Sequence, residues 1–344
     1  MTEAASPTAV ALPDWPVFGF SDDVRPALAQ VRAADQTCVL ATLALVEGGG
    51  PRPPGAQMLF AGDELWGFLS GGCIEGDLAA HARAVVADHQ PRWLVYGEGG
   101  PFADIRLVCG GRVEILLERL SPDDPAVETL LQLGAARRPA LWVSDGLTRA
   151  CWPAEQAPPI LPTPLAALAA RLIAQPLTRA AADAMEKAAA LRLAPVRRMI
   201  VVGGDPTAMA IAGLAAQTGF ETWLVRPKGP QAPPPLPGVR YDRGAADLAL
   251  ARIGLDVWTY VAVATHDLEA DETALAIALH SPAAYVGALG ARRRLPERQA
   301  RLRRLGLSEA AIARLKAPIG LDLGGKAPFE IAVAVLAEAI GYSL

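Results

Sequence analysis

The chain has 344 residues, 52% hydrophobic and 20% charged, more than one average domain needs and enough for two buried cores. A formal net charge of −4 argues against nucleic acid as the main partner, and no stretch is long and apolar enough to span a membrane. Four cysteines without a CxxC pair exclude a secreted disulfide framework, and residues 1–10 lack the pattern of a signal peptide, so a reducing cytoplasm is expected.

Residues 23–35 read as a helix and lead into an apolar run at 37–46, rich in Val, Leu and Thr, that reads as a buried strand. The loop Gly48-Gly49-Gly50-Pro51-Arg52-Pro53-Pro54-Gly55 is too rich in breakers to be regular, and the chain returns as a strand at 57–60. A further strand is expected at 64–69. Ser70-Gly71-Gly72-Cys73-Ile74-Glu75 then opens a helix whose Leu78, Ala82, Val85 and Val86 recur at helical spacing. Strands at 93–97 and 113–120 continue the sheet around a second glycine site, Cys109-Gly110-Gly111. Residues 121–195 hold a short strand at 141–144, a Pro-rich turn at 158–164 and Ala-rich helical segments, and read as an extension plus a linker.

From Val196 the pattern changes to strand (198–202), Gly203-Gly204, helix (206–218) and strand (221–226), which is a βαβ unit. Strands at 258–264 and 284–287, with a helix at 270–278 between them, extend it into a parallel sheet covered on both faces. The expected fold is α/β: an N-terminal mixed α/β domain with its extension and linker, residues 1–194, followed by a Rossmann-like, doubly wound parallel-sheet domain, residues 195–344.

A dinucleotide fingerprint places glycines between strand and helix so that the backbone meets a pyrophosphate at the helix N-terminus. Here the turn reads Gly203-Gly204-Asp205-Pro206-Thr207-Ala208, and Asp205 in place of the middle glycine brings a carboxylate towards any phosphate. Arg226 stands where an acid would bind a ribose diol and suits a phosphate better. One reading is therefore an anion site at the carboxyl edge of the sheet, drawing on Gly203, Gly204, Arg226, His266, Gly290 and Arg292, with Arg293 beside them. The other is a tight strand-to-helix connection that binds no dinucleotide. Arg298, Arg301, Arg303 and Arg304 read as a solvated helix face.

In the N-terminal half, a thiol at a helix start is favoured as thiolate by the helix dipole and becomes a better ligand for a soft metal. Cys73 meets that description: Gly71 and Gly72 permit close approach of a bulky ligand, and Glu75 sits in the same helix start. The competing reading is a small buried hydrophobe. Cys109 lacks a helix start, while Cys38 and Cys151 read as structural. Histidines 81, 89, 266 and 280 form no close pair with a cysteine in sequence, which gives a zinc site little support.

Taken together, residues 50–58 (GPRPPGAQM), residues 67–75 (GFLSGGCIE), Cys109-Gly110-Gly111, Thr265-His266-Asp267, residues 285–290 (YVGALG) and residues 318–324 (PIGLDLG) through Pro328, Glu330 and Ile331 resemble the XdhC/CoxI family. These are accessory factors of xanthine dehydrogenase and related molybdenum hydroxylases. The resemblance covers residues 37–118 and 196–339; Arg106, Asp205, Arg226 and Ala327 depart from it. It implies a chaperone, with no catalytic residue of its own, that binds molybdenum cofactor (molybdopterin). Such a protein protects the cofactor while a cysteine desulfurase installs its terminal sulfur, then delivers it to a molybdenum hydroxylase apo-enzyme; a homodimer is expected.

Under that reading Arg52, Gly55, Ser70, Gly71, Gly72, Cys73, Glu75 and Cys109 contact the cofactor. Arg52 lies on its phosphate, Cys73 is the metal contact, and the pocket is near the domain interface. Two rivals stay open. One is an NAD(P)-dependent oxidoreductase with Arg226 on a 2′-phosphate and His266 as proton donor. The other is a cofactor-free scaffold that bridges partner proteins through the arginine-rich helix.

Overall fold

The computed structural model describes residues 11–98, 100, 107, 110–265 and 268–342, with residues 268–270 as backbone only. Residues 1–195 and 196–344 form two compact units. Among the described residues no helix is long and apolar enough to cross a membrane.

In the first unit, a 3-10 turn (Val17–Phe20) and α1 (Arg25–Ala33) precede β1 (Cys38–Glu47), β2 (Gln57–Ala61), β3 (Glu64–Gly67), α2 (Glu75–Asp88), β4 (Arg92–Tyr96) and β5 (Arg112–Leu120). The strands form one antiparallel sheet in the order β3-β2-β1-β5-β4. β1 reads as a continuous apolar run because both of its faces are covered. Val39, Ala41 and Leu43 pack with Leu78, Ala82 and Val85 of α2, while Cys38 and Leu40 point to the other side. Period-two alternation thus divides one strand between two cores.

The second core is closed by the segment read from sequence as extension and linker, and here the structure corrects that reading. α3 (Pro125–Ala135), β6 (Ala140–Ser144), β7 (Arg149–Pro153), α4 (Thr163–Ala174), β8 (Ala180–Asp183) and β9 (Ala188–Leu193) follow in order. The strands make an antiparallel sheet ordered β7-β6-β9-β8. Ala180–Asp183 and Ala188–Leu193 are strands despite their alanine content. Ala188 and Ala190 pack under α4, and Ala189 packs against Ala44 and Leu116 of the five-stranded sheet. Burial between two layers overrides helix propensity, and small side chains let the layers approach. Arg149 joins the sheets: it donates to Glu118 (2.8 Å) and Asp124 (2.6 Å), and Glu118 also accepts from Ser144 Oγ (2.6 Å).

The second unit runs β10 (Arg198–Gly203), α5 (Pro206–Gln217), β11 (Glu221–Val225), β12 (Val239–Asp242), α6 (Ala246–Ile253), β13 (Thr259–Ala264), α7 (Leu268–His280), β14 (Tyr285–Ala288), α8 (Leu295–Arg304), α9 (Glu309–Ala313), β15 (Leu315–Lys316) and α10 (Pro328–Gly341). Its six strands are parallel and ordered β12-β11-β10-β13-β14-β15, the Rossmann order, with the reversal between β10 and β13. Met199 and Val201 face α5 and α10, and Ile200 and Val202 face α6 and α7, so the sheet is doubly wound.

Candidate functional site

The antiparallel topology brings three loops to one end of the five-stranded sheet. β1 ends there and β2 begins there, β3 ends there, and β4 ends where β5 begins. The 48–56 loop, the 68–74 loop and the glycines at 97, 110 and 111 therefore share one edge. Backbone contact between the glycine turns is intimate: a Cβ on Gly111 would lie 1.9 Å from the Gly49 carbonyl oxygen, and one on Gly97 would lie 2.1 Å from that of Gly111. Only glycine permits that approach.

Glu75, at the start of α2, organises the second of these loops. It is fully buried, and its carboxylate accepts from the N–H groups of Leu69 (3.0 Å), Ser70 (2.6 Å), Gly71 (3.2 Å), Gly72 (2.8 Å) and Ile74 (3.3 Å), and from the Ser70 hydroxyl. Ser70 Oγ in turn accepts from the N–H groups of Cys73 (2.9 Å) and Ile74 (3.1 Å). Burial by itself pushes the Glu75 carboxyl up, but the Ser70 hydroxyl and the loop amides outweigh it and hold it below the usual carboxylate range. Both carboxylate oxygens are thus turned to the protein's own backbone, and Glu75 positions the loop.

The loop wrapped around that carboxylate displays an exposed Cys73. The thiol stands at the start of α2, one residue before its N-cap Ile74. Gly71 and Gly72 take φ of 83° and 117°, and a Cβ on either, or on Gly110, would meet no atom within 4 Å. These glycines leave room above the loop. Gly55 differs: its φ is 92°, and a Cβ there would point at Ala180 and Leu191, so it serves the packing of the two sheets.

Arg52 stacks over the ring of Phe68, its guanidinium carbon 4.6 Å from the centroid, and forms an ion pair with Asp22. This puts a cation beside the residue that leads into the Ser70–Cys73 turn. Beneath the same turn, Asp77 accepts from the Tyr96 hydroxyl (2.5 Å), tying the start of α2 to the last residue of β4. Asp22, Phe68, Asp77 and Tyr96 were not singled out from sequence. Their pairings span 16 to 30 positions in the numbering and carry no local signature. Among the described residues no group of three or more His, Cys, Asp or Glu side chains is placed to hold a metal ion.

In the second unit, the Asp205 carboxylate caps α5 by accepting from Ala208 N–H (2.7 Å), taking an amide that a pyrophosphate would use. Gly204 lies under Arg226: a Cβ there would fall 2.3 Å from Arg226 Nε. Gly203, Gly204 and Arg226 therefore meet at one turn. Gly290 and Arg292 lie beyond β14, and Arg292 is 75% exposed and paired with an equally exposed Asp322 (2.9 Å). Arg298, expected on a solvated face, is half-buried and turned inward instead. It bonds to Asp271 (3.1 Å) and the Leu289 carbonyl (3.1 Å), and Asp271 also accepts from Thr265 Oγ1 (2.6 Å). Arg106, Cys109, His266 and Asp267 lie outside the described residues.

A Rossmann-type unit following an antiparallel unit that carries an exposed thiol on one of its glycine turns defines the class of this protein. Residues 31–97 match the XdhC and CoxI family, and residues 199–339 match the XdhC Rossmann domain. The chain is 31% identical to the molybdenum cofactor insertion chaperone PaoD of Escherichia coli, over 87% of its own length and 81% of that protein. It is 25% identical to a probable xanthine dehydrogenase subunit of Bacillus subtilis, over 89% and 93% of the two chains. A crystal structure described as a xanthine dehydrogenase from Bacillus halodurans superposes with a TM-score of 0.73 at 25% identity, covering 94% of this chain and 95% of that one. This chain belongs to the XdhC and CoxI family.

Proposed function

We propose that this protein binds molybdenum cofactor, protects it while its terminal sulfur is installed, and helps insert it into a xanthine dehydrogenase-type molybdenum hydroxylase. The observation that carries the reading is the convergence of three glycine-rich turns on one sheet edge that also carries an exposed thiol and a stacked arginine. Molybdopterin presents a phosphate, a flat polar pterin and a dithiolene-bound metal. The residues present fit that cargo. Arg52 offers a fork of donors to the phosphate, Gly71, Gly72 and Gly110 leave room for a broad ring, and Cys73 offers one soft ligand to the metal. Cys109 joins them by the family resemblance. Glu75 acts behind this surface and fixes the loop.

A molybdenum hydroxylase apo-enzyme and a cysteine desulfurase are the partners in this reading, and the carrier is a homodimer. The test is to purify the full chain from cells that make molybdenum cofactor and assay molybdenum and the fluorescent oxidised pterin per chain. Near-stoichiometric pterin is expected. Absence of both metal and pterin after anaerobic reconstitution overturns the reading.

A further inference from the structure

Arg52 is held in an unusual way for a residue assigned to a phosphate. Its side chain is only 20% exposed, yet the carboxylate paired with it, on Asp22, is 72% exposed. Its Nε is buried and has no hydrogen-bond partner among the described residues. A guanidinium carries five N–H donors, so one monodentate carboxylate leaves it under-used.

The carboxylate is delivered by a built support. In the Val17–Phe20 turn, Phe18 packs against the core of the five-stranded sheet, and a Cβ on Gly19 would sit 3.4 Å from the Phe68 ring. The ring that carries Arg52 therefore also braces the turn that brings Asp22. The adjacent carboxylate, Asp23, is committed elsewhere, accepting from Arg25 Nε (2.8 Å) and Nη2 (2.9 Å). Two neighbouring acids thus serve two different cations, and Asp22 is the one aimed at Arg52.

We propose that Asp22 is a tethered competitor for the cargo's phosphate. This inference rests on the reading that the cargo carries a phosphate monoester bound by Arg52. Phosphate offers a doubly charged, multidentate acceptor and displaces the exposed carboxylate from the guanidinium. When the cargo passes to a partner, Asp22 takes Arg52 back. A carrier must release what it holds, and a carboxylate beside the anchor lowers the barrier to release at a small cost in affinity. Exposed ion pairs are weak, so the expected cost is about two- to five-fold in affinity.

The experiment compares wild type, Asp22→Asn, Arg52→Ala and the double variant, each as the full chain, binding three probes: oxidised phosphate-bearing pterin, the same pterin dephosphorylated, and inorganic phosphate. Asp22 is largely exposed, so its replacement leaves the fold intact. Asp22→Asn is expected to tighten both phosphate-bearing probes about two- to five-fold, to leave the dephosphorylated pterin unchanged, and to lose its effect when Arg52 is alanine. An unchanged affinity for both phosphate-bearing probes overturns the proposal, as does a gain that survives in the Arg52→Ala background, or the failure of every probe to bind. If inorganic phosphate shows the gain while neither pterin binds, the competitor stands and the cofactor reading falls.

Discussion

Ser70 and Glu75 hold each other from both sides. The Ser70 N–H and O–H donate to the Glu75 carboxylate, while Ser70 Oγ receives the N–H groups of Cys73 and Ile74. The position of the exposed thiol is therefore inherited from a buried acid two residues further on. Glu75→Ala leaves the turn's N–H groups without their acceptor and is expected to cost about 2–4 kcal/mol, read as a lower urea midpoint. Glu75→Gln, with one acceptor oxygen in place of two, falls between. A wild-type midpoint for Glu75→Ala would show that the turn holds itself without the carboxylate.

The same carboxylate sets an acid limb of stability. Its folded pKa lies below its unfolded value, so at intermediate pH the unfolded chain binds more protons and stability rises with pH. The contribution is fully present above the unfolded glutamate pKa of about 4.3 and is lost as pH falls through the folded value. Denaturation midpoints taken from pH 7 down to pH 3 should therefore fall more steeply for wild type than for Glu75→Gln. Parallel curves would remove Glu75 as the source.

Cys73→Ala removes an exposed thiol and should leave the melting temperature nearly unchanged, within about 0.5 kcal/mol of wild-type stability. Molybdenum per chain should drop in the same preparation. Full molybdenum content in the variant would take Cys73 out of the mechanism.

Arg149 is bonded to two buried acids, Glu118 and Asp124, at the junction of the two antiparallel sheets. Arg149→Ala leaves both carboxylates without it and is expected to destabilise by about 3–5 kcal/mol, seen as a shift in the denaturant midpoint of the first unit. A loss below about 1 kcal/mol would mean that the sheets are joined by apolar packing alone.

With Asp205 capping α5 and taking the amide of Ala208, saturating NADPH is expected to leave the melting temperature unchanged. A clear rise would restore the oxidoreductase reading and place the nucleotide on Arg226. Asp205→Ala should itself cost about 1 kcal/mol through the lost cap.

Much of this fold is legible in the sequence because its signals are local. The apolar run of β1, the breaker-rich turn at 48–55, and the strand, glycine turn and helix at 198–217 each depend on residues within a few positions of one another. The alanine-rich strands β8 and β9 are not legible. Alanine favours a helix, and only burial between α4 and the five-stranded sheet makes these segments extended. The arginines of the second unit show the same limit. Arg292 and Arg298 belong to one basic run, yet one is solvated and the other is locked to Asp271 and Leu289.

For β1, the 48–55 turn and the 198–217 unit, the residues alone set the turns and the apolar strand faces, because backbone sterics and hydrophobic periodicity act over short spans. The tertiary structure decided which groups are spent inside the protein. Glu75 turns inward to its own loop, Asp205 caps its own helix, and Asp22 meets Arg52 across 30 residues. Those outcomes depend on sheet order and loop closure, which bring distant residues to one edge, and local residue patterns carry no record of them.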